Sequence, residues 1–197
     1  MSEAKKFDRK VAIVTGGASG IGEACVRQFA AGGGKVVVAD INLEAAERTA
    51  AAVREAGGEA AAVRVDVADP ASVEAMVQFA KDQFGGVDIA VNNAGIGGEL
   101  NPTGQASLEG WNKVIAINLS SVFYCMRYQI PAMLERGGGA IVNVASILGV
   151  VAFAGSPGYV ASKHGVVGLS KTAALEYATQ GIRVNAVGPG FIETPLL

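Results

Sequence analysis

The sequence has little of what metal enzymes, hydrolases and nucleic-acid-binding proteins need. It contains one His and two Cys among 197 residues, too few for the common zinc sites. His164 would have to serve any Ser-His-Asp triad alone, and no G-x-S-x-G motif accompanies it. The formal net charge is −2 and no Lys/Arg cluster occurs, which argues against a nucleic acid or an anionic membrane as partner. We therefore expect no metal site, no nucleic-acid partner and no membrane partner.

Long apolar runs are also missing. No run of about 18 uncharged apolar residues occurs, and the N-terminus lacks an apolar signal core. On this basis we interpret the protein as cytoplasmic. Cys25 and Cys125 both lie in apolar helical patterns, so we expect two buried thiols rather than a disulfide bond.

Apolar residues are abundant, at 50% of the sequence against 17% charged, which is typical of a globular protein. Short β-branched runs predict strands at residues 10–15, 35–40, 59–65, 87–91, 140–145 and 183–187. The patterns between them predict helices, and we expect the long helical region from Ser107 to about Arg136 to break at Pro131. This alternation predicts an α/β fold with a doubly wound parallel sheet of the Rossmann type and helices on both faces. We assign residues 1–197 to one domain.

No further strand pattern follows residue 187. We therefore expect the sheet to lack a last strand and to expose one edge, which invites association. A chain of this kind would be a poor catalyst by itself.

A glycine-rich turn joins the first predicted strand to the first predicted helix. Gly16, Gly20 and Gly22 follow the spacing G-x-x-x-G-x-G, and a helical pattern begins at Glu23. Glycines let the backbone approach a pyrophosphate, whose charge then faces the positive end of the helix. Glu23 stands where a P-loop would need Lys, so a kinase or NTPase is disfavoured. A plain glycine-rich turn is the alternative.

Asp40 ends the second predicted strand, at the position expected for a carboxylate that accepts from the adenosine ribose hydroxyls. A 2′-phosphate there would meet like charge, and no basic residue occupies Ser19, Ile41 or Asn42 to relieve it. NAD is therefore favoured over NADP. The alternative is that Asp40 only caps the following helix.

Polar or glycine residues follow almost every predicted strand. In parallel sheets, ligands collect at the carboxyl ends of the strands, so these positions become neighbours in space. The positions are Asp40, Asp66, Asn92, Ser146 and the turn at 188–190.

Tyr159 and Lys163 are four residues apart near the start of the last predicted helix, and so share one face. A cation about 4 Å from a phenolate stabilises it by roughly 4 kcal/mol at an effective dielectric of 20. No charged residue occurs from Gly137 to Ser162, so Lys163 would dominate the local field. The pair is suited to proton transfer, although a Tyr beside a solvated Lys is the plain alternative.

Together these positions resemble the short-chain dehydrogenase/reductase family over nearly the whole chain. The resemblance is carried by Thr15, Gly16, Gly20, Gly22, Asp66, Asn92, Asn93, Ala94, Gly95, Asn118, Ser146, Tyr159, Lys163, Pro189, Gly190 and Thr194. It implies a catalytic set of Asn118, Ser146, Tyr159 and Lys163. It implies a cofactor-binding set of Gly16, Ser19, Gly20, Ile21, Gly22, Asp40, Ile41, Asp66, Val67, Asn92, Ala94, Gly95, Tyr159, Lys163, Pro189, Gly190, Ile192 and Thr194.

The resemblance also implies individual roles. Tyr159 would be the general acid/base, and Lys163 would favour its ionised form and bind the nicotinamide ribose. Ser146 would hydrogen-bond the substrate oxygen, and Asn118 would hold a water in a proton relay, unless it merely faces solvent in mid-helix. For the cofactor, Asp66 would hold the adenine amino group. Asn92, Ala94 and Gly95 would line the adenosine side, and Thr194 with the backbone near Ile192 would hold the nicotinamide amide.

The sequence thus predicts an oxidoreductase that transfers a hydride between NAD(H) and a secondary alcohol or ketone. The apolar residues that follow Ser146 indicate an uncharged or weakly polar substrate. The resemblance also implies a C-terminal segment beyond residue 197, with a substrate-covering helical part and a last strand that often builds tetramers. We therefore interpret the sequence as part of a longer protein and expect a homotetramer or homodimer for the full-length form. An NADP-dependent 3-oxoacyl thioester reductase and a non-catalytic NAD-sensing regulator are the alternatives.

Overall fold

The computed structural model describes residues 5–194, which form one parallel sheet between two layers of helices. The strands are β1 (Val11–Thr15), β2 (Lys35–Asp40), β3 (Glu59–Arg64), β4 (Ile89–Asn92), β5 (Gly139–Val144) and β6 (Ile182–Val187). The α-helices are α1 (Gly20–Ala31), α2 (Leu43–Glu55), α3 (Pro70–Phe84), α4 (Leu108–Ile115), α5 (Ser121–Glu135) and α6 (Pro157–Tyr177). A π-helical turn, Ala116–Ser120, joins α4 to α5, and short 3-10 turns occur at Ile147–Gly149 and Ala178–Gln180.

The strand order is β3-β2-β1-β4-β5-β6, and every pairing is parallel. The chain therefore winds outward from β1 in one direction and then in the other, which confirms the predicted doubly wound sheet. β1 pairs with both β2 and β4, so the point of reversal lies at β1. Such a reversal opens a crevice at the carboxyl ends of the central strands.

The sheet is buried on both faces, as parallel sheets usually are. Successive residues of the strands alternate between two hydrophobic clusters. Ile13 and Val37 belong to the cluster that includes α3, α5 and α6, whereas Val14, Val36 and Val38 belong to the cluster covered by α1 and α2. The alternation fixes the register, because a slip of one residue would turn every side chain to the opposite face.

The predicted break at Pro131 is wrong. Pro131 lies inside α5, where the burial of Ile130, Ala132 and Met133 opposes the cost of about 3 kcal/mol that an interior proline brings. The helical region is interrupted earlier, by the π-helical turn Ala116–Ser120. Turns of this type often occur at functional sites.

A buried network of amide side chains joins the centre of the sheet to α5 and α6. The Asn92 Nδ2 atom donates to Gln129 Oε1 at 3.1 Å and to Asn143 Oδ1 at 2.9 Å. Gln129 Nε2 returns a hydrogen bond to Asn92 Oδ1 at 2.9 Å, and Asn143 Nδ2 donates to Ser170 Oγ at 2.9 Å. The network satisfies amide groups that would otherwise be costly to bury.

Candidate active site

Two adjoining cavities open at the carboxyl ends of the strands, with volumes of about 390 and 400 Å³. The predicted residues that line the first cavity are Gly16, Ser19, Gly20, Ile21, Asp40, Ile41, Asp66, Val67, Ala94, Gly95 and Thr194. Those that line the second cavity are Ile21, Gly95, Ser146, Tyr159, Lys163, Pro189, Gly190, Ile192 and Thr194. The two lists share Ile21, Gly95 and Thr194, so the cavities form one continuous site. Three predicted residues, Gly22, Asn92 and Asn118, line neither cavity.

The glycine-rich turn forms one wall of the first cavity. Gly16 and Gly20 have φ angles of 62° and 54°, a left-handed conformation that favours glycine. Ser19 precedes α1 and makes no side-chain cap, so the first N–H groups of the helix stay available to an anion. A Cβ on Gly22 would lie 2.0 Å from the Gly16 carbonyl oxygen. Gly22 therefore permits close packing of turn and helix rather than contact with a ligand.

Asp40 lies at the end of β2, beside the glycine-rich turn. One carboxylate oxygen accepts from the Ala18 backbone N–H at 3.2 Å, and the other accepts from the Asn42 N–H at 3.0 Å. The helix cap itself is Asn42, whose side chain accepts from Ala45 N at 3.1 Å. Capping of α2 is therefore not the role of Asp40, whose carboxylate faces the cavity instead. The sheet register also pairs Asp40 with Arg64 of β3. This basic residue is not among the predicted site residues.

Asp66 and Val67 follow β3 at the far end of the first cavity. The Asp66 carboxylate accepts from the Ala68 backbone N–H at 3.0 Å, and its own N–H donates to Ser72 Oγ at 3.0 Å. These bonds fix the turn that leads into α3. The exposed carboxylate of Asp66 therefore has a defined place at the cavity edge.

The side chain of Asn92 does not reach the cavity, and this prediction is corrected. Asn92 is the last residue of β4 and points into the buried amide network. Its neighbour Asn93 lines both cavities and donates through Nδ2 to the carbonyl oxygens of Thr15 and Gly16, at 3.0 and 3.2 Å. Successive strand residues point to opposite sides. This alternation could have identified Asn93 as the residue that faces the site.

Asn118 lies behind the cavities rather than in solvent. It is 1% exposed, within the π-helical turn. Its Oδ1 atom accepts from the Ile96 N–H and its Nδ2 atom donates to the Ile96 carbonyl, both at 2.8 Å. A Cβ on Gly95 would lie 3.2 Å from Asn118 Oδ1 and 3.7 Å from Lys163 Nζ. Asn118 thus holds the segment that passes between the two cavities, close to Lys163.

Lys163 is a buried cation on α6, with 5% of its surface exposed. Its Nζ donates to the Val144 carbonyl at 2.8 Å and lies 5.6 Å from the centre of the Tyr159 ring. Burial lowers the pKa of Lys163 to about 8. Within residues 5–194 no carboxylate pairs with it. Its field therefore acts on Tyr159 without local compensation.

Ser146 follows β5 and lines the second cavity together with Tyr159. Its Oγ atom accepts from the Leu148 N–H at 3.1 Å, which caps the 3-10 turn Ile147–Gly149. A hydroxyl that accepts one bond keeps its hydrogen free to donate. Capping of this turn and a donor role toward a ligand are thus compatible. Apolar side chains, including Leu100, Ile147 and Phe153, surround this pair of hydroxyls.

Known proteins match this chain over nearly its whole length. The family model described as "short chain dehydrogenase" matches residues 10–197. This chain belongs to that family.

Several enzymes named for their substrates are similar to this chain. Cyclohexanol dehydrogenase from Acinetobacter sp. (strain SE19) is 53% identical over 192 residues, which cover 98% of this chain and 76% of the relative. Cis-4-hydroxycyclohexanecarboxylate dehydrogenase from Sinomonas cyclohexanicum is 46% identical, over 97% of this chain and 76% of the relative. The crystal structure of levodione reductase matches with a TM-score of 0.94 at 41% identity, over 97% of this chain and 75% of that one.

As a member of this family, the chain is an oxidoreductase that transfers a hydride between an alcohol or ketone and a nicotinamide cofactor. The observed site fits such a cofactor. The uncapped start of α1 and the two left-handed glycines suit a pyrophosphate, and the cavities on either side suit the two nucleotide halves.

The described part of the dehydrogenase has neither a membrane-spanning helix nor a metal-binding cluster. No helix in residues 5–194 is both long and apolar enough to cross a membrane. The same part of the chain has no group of three or more His, Cys, Asp or Glu side chains arranged to hold a metal ion.

Proposed function

We propose that this short-chain dehydrogenase uses NAD to interconvert an uncharged cyclic secondary alcohol and its ketone. The observation that carries the proposal is the convergence of two hydroxyls, Ser146 and Tyr159, on one cavity with the buried cation Lys163 behind them. Proton transfer and oxygen stabilisation are the tasks that the protein itself must supply in this chemistry.

The nicotinamide supplies the hydride acceptor, and the side chains handle the proton. In alcohol oxidation Tyr159, in its phenolate form, takes the hydroxyl proton of the substrate. Ser146 donates a hydrogen bond to the same oxygen as its charge changes. Lys163 favours the phenolate through its charge and, when the cofactor binds, donates to the nicotinamide ribose.

We propose that Asn118 belongs to the proton path but acts from behind the cavity surface. Its side chain is engaged with Ile96 and lies near Lys163. A water held at this point would connect the Lys163 ammonium to solvent. Replacing Asn118 with Asp tests this role, since a carboxylate accepts from the Ile96 N–H but cannot donate to its carbonyl.

The preference for NAD rests on Asp40. Its carboxylate is fixed by two backbone N–H groups at the place proposed for the adenosine ribose. A 2′-phosphate would meet this charge, whereas ribose hydroxyls would donate to it. Arg64 is in register with Asp40, but no ion pair joins the two within residues 5–194. We propose further that Asp66 accepts from the adenine and that Asn93, rather than Asn92, helps to shape the adenosine side.

The cyclic substrate is proposed from the second cavity and from the relatives. Hydrophobic side chains surround the two hydroxyls, and Lys163 is the one charged residue among the described lining residues. Similar dehydrogenases are named for cyclohexanol and for a cyclohexadienediol. A cavity of about 400 Å³ shared with a nicotinamide leaves space for a single ring. No second basic group is present there to pair with a carboxylate substituent.

A turnover assay tests the proposal. The protein is mixed with NAD or NADP and with cyclohexanol, 4-hydroxycyclohexanecarboxylate or a 3-hydroxyacyl thioester, and the reduced nicotinamide is followed by absorbance. We expect the highest kcat/KM with NAD and cyclohexanol. Preferred use of NADP and the thioester would instead favour the 3-oxoacyl thioester reductase. Tight NAD binding without turnover of any alcohol would favour the NAD-sensing regulator.

A further inference from the structure

The segment between β4 and α4, residues 93–107, forms one wall of the second cavity. Gly97, Gly98 and Leu100 line the cavity, and Leu100 leaves 74% of its surface exposed. The segment contains no helix or strand. Its shape therefore depends on individual hydrogen bonds, and these identify the residues that control it.

The Glu99 carboxylate makes most of the side-chain hydrogen bonds that close this segment on itself. Its oxygens accept from Ser107 Oγ at 2.7 Å, from the Ser107 N–H at 3.3 Å and from Asn101 Nδ2 at 3.4 Å. The Ser107 hydroxyl also accepts from the Gly110 N–H at 2.9 Å and so caps α4. The hydrogen bonds from Ser107 lower the pKa of the Glu99 carboxyl, which favours the acceptor-only ionised form.

The start of α4 is shaped to receive this carboxylate. A Cβ on Gly110 would lie 2.5 Å from Glu99 Oε1, closer than real Cβ atoms approach an oxygen. The absent side chain lets the carboxylate rest against the first turn of the helix. The positive end of the helix dipole adds to the attraction.

Leu100 lies between two fixed points. Glu99 is held on one side by the contacts just described, and on the other side the Asn101 N–H donates to the Gly155 carbonyl at 2.8 Å. Gly155 belongs to the chain that runs from Phe153, a second apolar residue of the cavity, to the start of α6. Glu99 itself does not line the second cavity. Any effect of Glu99 on the substrate must therefore pass through its neighbours Gly98 and Leu100, of which Leu100 carries a side chain.

We propose that Glu99 is a positioning residue that sets substrate selectivity, because its contact with α4 holds Leu100 as a fixed wall of the second cavity. The inference rests on the proposed function for the identity of the ligand. With the wall fixed, a compact ring fits and a ring with a bulky substituent is disfavoured. Loss of the contact lets Leu100 move and weakens this discrimination.

Two variants break the contact from opposite sides. Glu99→Ala removes the carboxylate, so that the Ser107 hydroxyl, the Ser107 N–H and Asn101 Nδ2 lose their shared acceptor. Gly110→Ala keeps Glu99 but fills the space that its carboxylate occupies. Glu109→Ala is the matched control, since Glu109 is an exposed acidic residue of the same first turn. It removes the same charge and leaves the contact intact.

Hydrogen exchange and substrate discrimination are measured on the wild type and these variants. We expect exchange of the amides at 99–107 to rise about tenfold or more in Glu99→Ala and Gly110→Ala. The kcat/KM ratio of 4-tert-butylcyclohexanol to cyclohexanol should rise by about threefold or more in both, with NAD affinity unchanged. Glu109→Ala should match the wild type in each measurement.

Unchanged exchange in Glu99→Ala would overturn the inference, and so would faster exchange with an unchanged kcat/KM ratio. A wild-type protein that turns over neither alcohol would contradict the proposed function instead. In that case the exchange data alone decide whether Glu99 holds the segment.

Discussion

The two cavities share one edge of the sheet but are built differently. Backbone groups shape the first cavity, through the left-handed turns at Gly16 and Gly20 and the N–H groups at the start of α1. Side chains from separate elements shape the second, with Ser146 after β5 and Tyr159 on α6. Under the proposed function, this difference means that turnover and the choice of cofactor depend mostly on different residues. Changes to the two hydroxyls of the second cavity should alter turnover, and a change to Asp40 in the first should alter the choice of cofactor. Lys163 would serve both functions.

Tyr159→Phe should give the largest separation of the two functions. It deletes one hydroxyl and little packing, so turnover of a verified alcohol should fall by up to about 10⁴-fold, the upper range for a positioned acid/base. The NAD dissociation constant, measured by isothermal titration, should stay within about twofold of the wild type. Wild-type turnover in this variant would show that Tyr159 is not the acid/base.

Ser146→Ala should have the next largest effect on turnover. Removing one donor to a developing charge usually lowers kcat by about a hundredfold or more. Ser146 also accepts from Leu148 N, so the 3-10 turn could be disturbed as well. Ser146→Thr separates the two effects, because it keeps the hydroxyl. A kcat in Ser146→Ala equal to that of the wild type would remove Ser146 from the mechanism.

Lys163→Met should damage both functions and change how the stability of the fold depends on pH. Burial lowers the pKa of Lys163 from the ordinary 10.5 to about 8. Below pH 8 the folded wild type carries the full cost of the buried charge, up to about 3 kcal/mol, and its stability rises with pH between 8 and 10.5. The variant lacks this cost at every pH but leaves the Val144 carbonyl without its donor. Its stability relative to the wild type should therefore be highest at pH 7 and fall as the pH rises to 10.5.

Urea unfolding at several pH values measures the effect of Lys163→Met. The exposed Lys171 on the same helix supplies the control variant, Lys171→Met, which should show no such pH dependence. In kinetic assays Lys163→Met should lose turnover and also bind NAD more weakly. A difference in stability between variant and wild type that stays constant from pH 7 to pH 10.5 would contradict this interpretation.

Asp40→Ala should act on the first cavity alone and give the smallest effect. Repulsion of about 2 kcal/mol between Asp40 and a 2′-phosphate corresponds to roughly thirtyfold discrimination, which the variant should largely remove by improving NADP binding. Isothermal titration of NAD and NADP into the wild type and the variant measures this discrimination. Arg64→Ala in the Asp40→Ala background shows whether the in-register arginine contributes to phosphate binding. Equal affinities for NAD and NADP in the wild type would contradict the role of Asp40.

Features that depend on local sequence were predictable. The six strands, the glycine-rich turn and the polar residues at strand ends follow from short-range patterns, and the structure has them at nearly the predicted positions. Features that depend on packing between distant elements were not predictable. The π-helical turn that holds Asn118, the opposite orientations of Asn92 and Asn93, and the contact of Glu99 with α4 all need partners from elsewhere in the chain.

Several predictions from the sequence stay predictions. They are the single domain over residues 1–197, the cytoplasmic location, the homo-oligomer and the preference for NAD. The prediction that no strand follows residue 187 also covers residues 195–197, which lie outside the described part. The sheet edge at β6 is formed by residues that the structure does describe, and within 5–194 no strand pairs with its outer side.

The buried amide network makes misaligned pairing of strands β4 and β5 unfavourable. Asn92 and Asn143 face each other in register on β4 and β5, and each also reaches a helix, through Gln129 or Ser170. Wrong alignments of hydrophobic strands cost little, because one aliphatic residue can replace another. A misaligned Asn92 would leave amide groups without partners, at about 1–3 kcal/mol for each group. The network therefore selects the one assembly in which the strand ends, and with them the two cavities, come together.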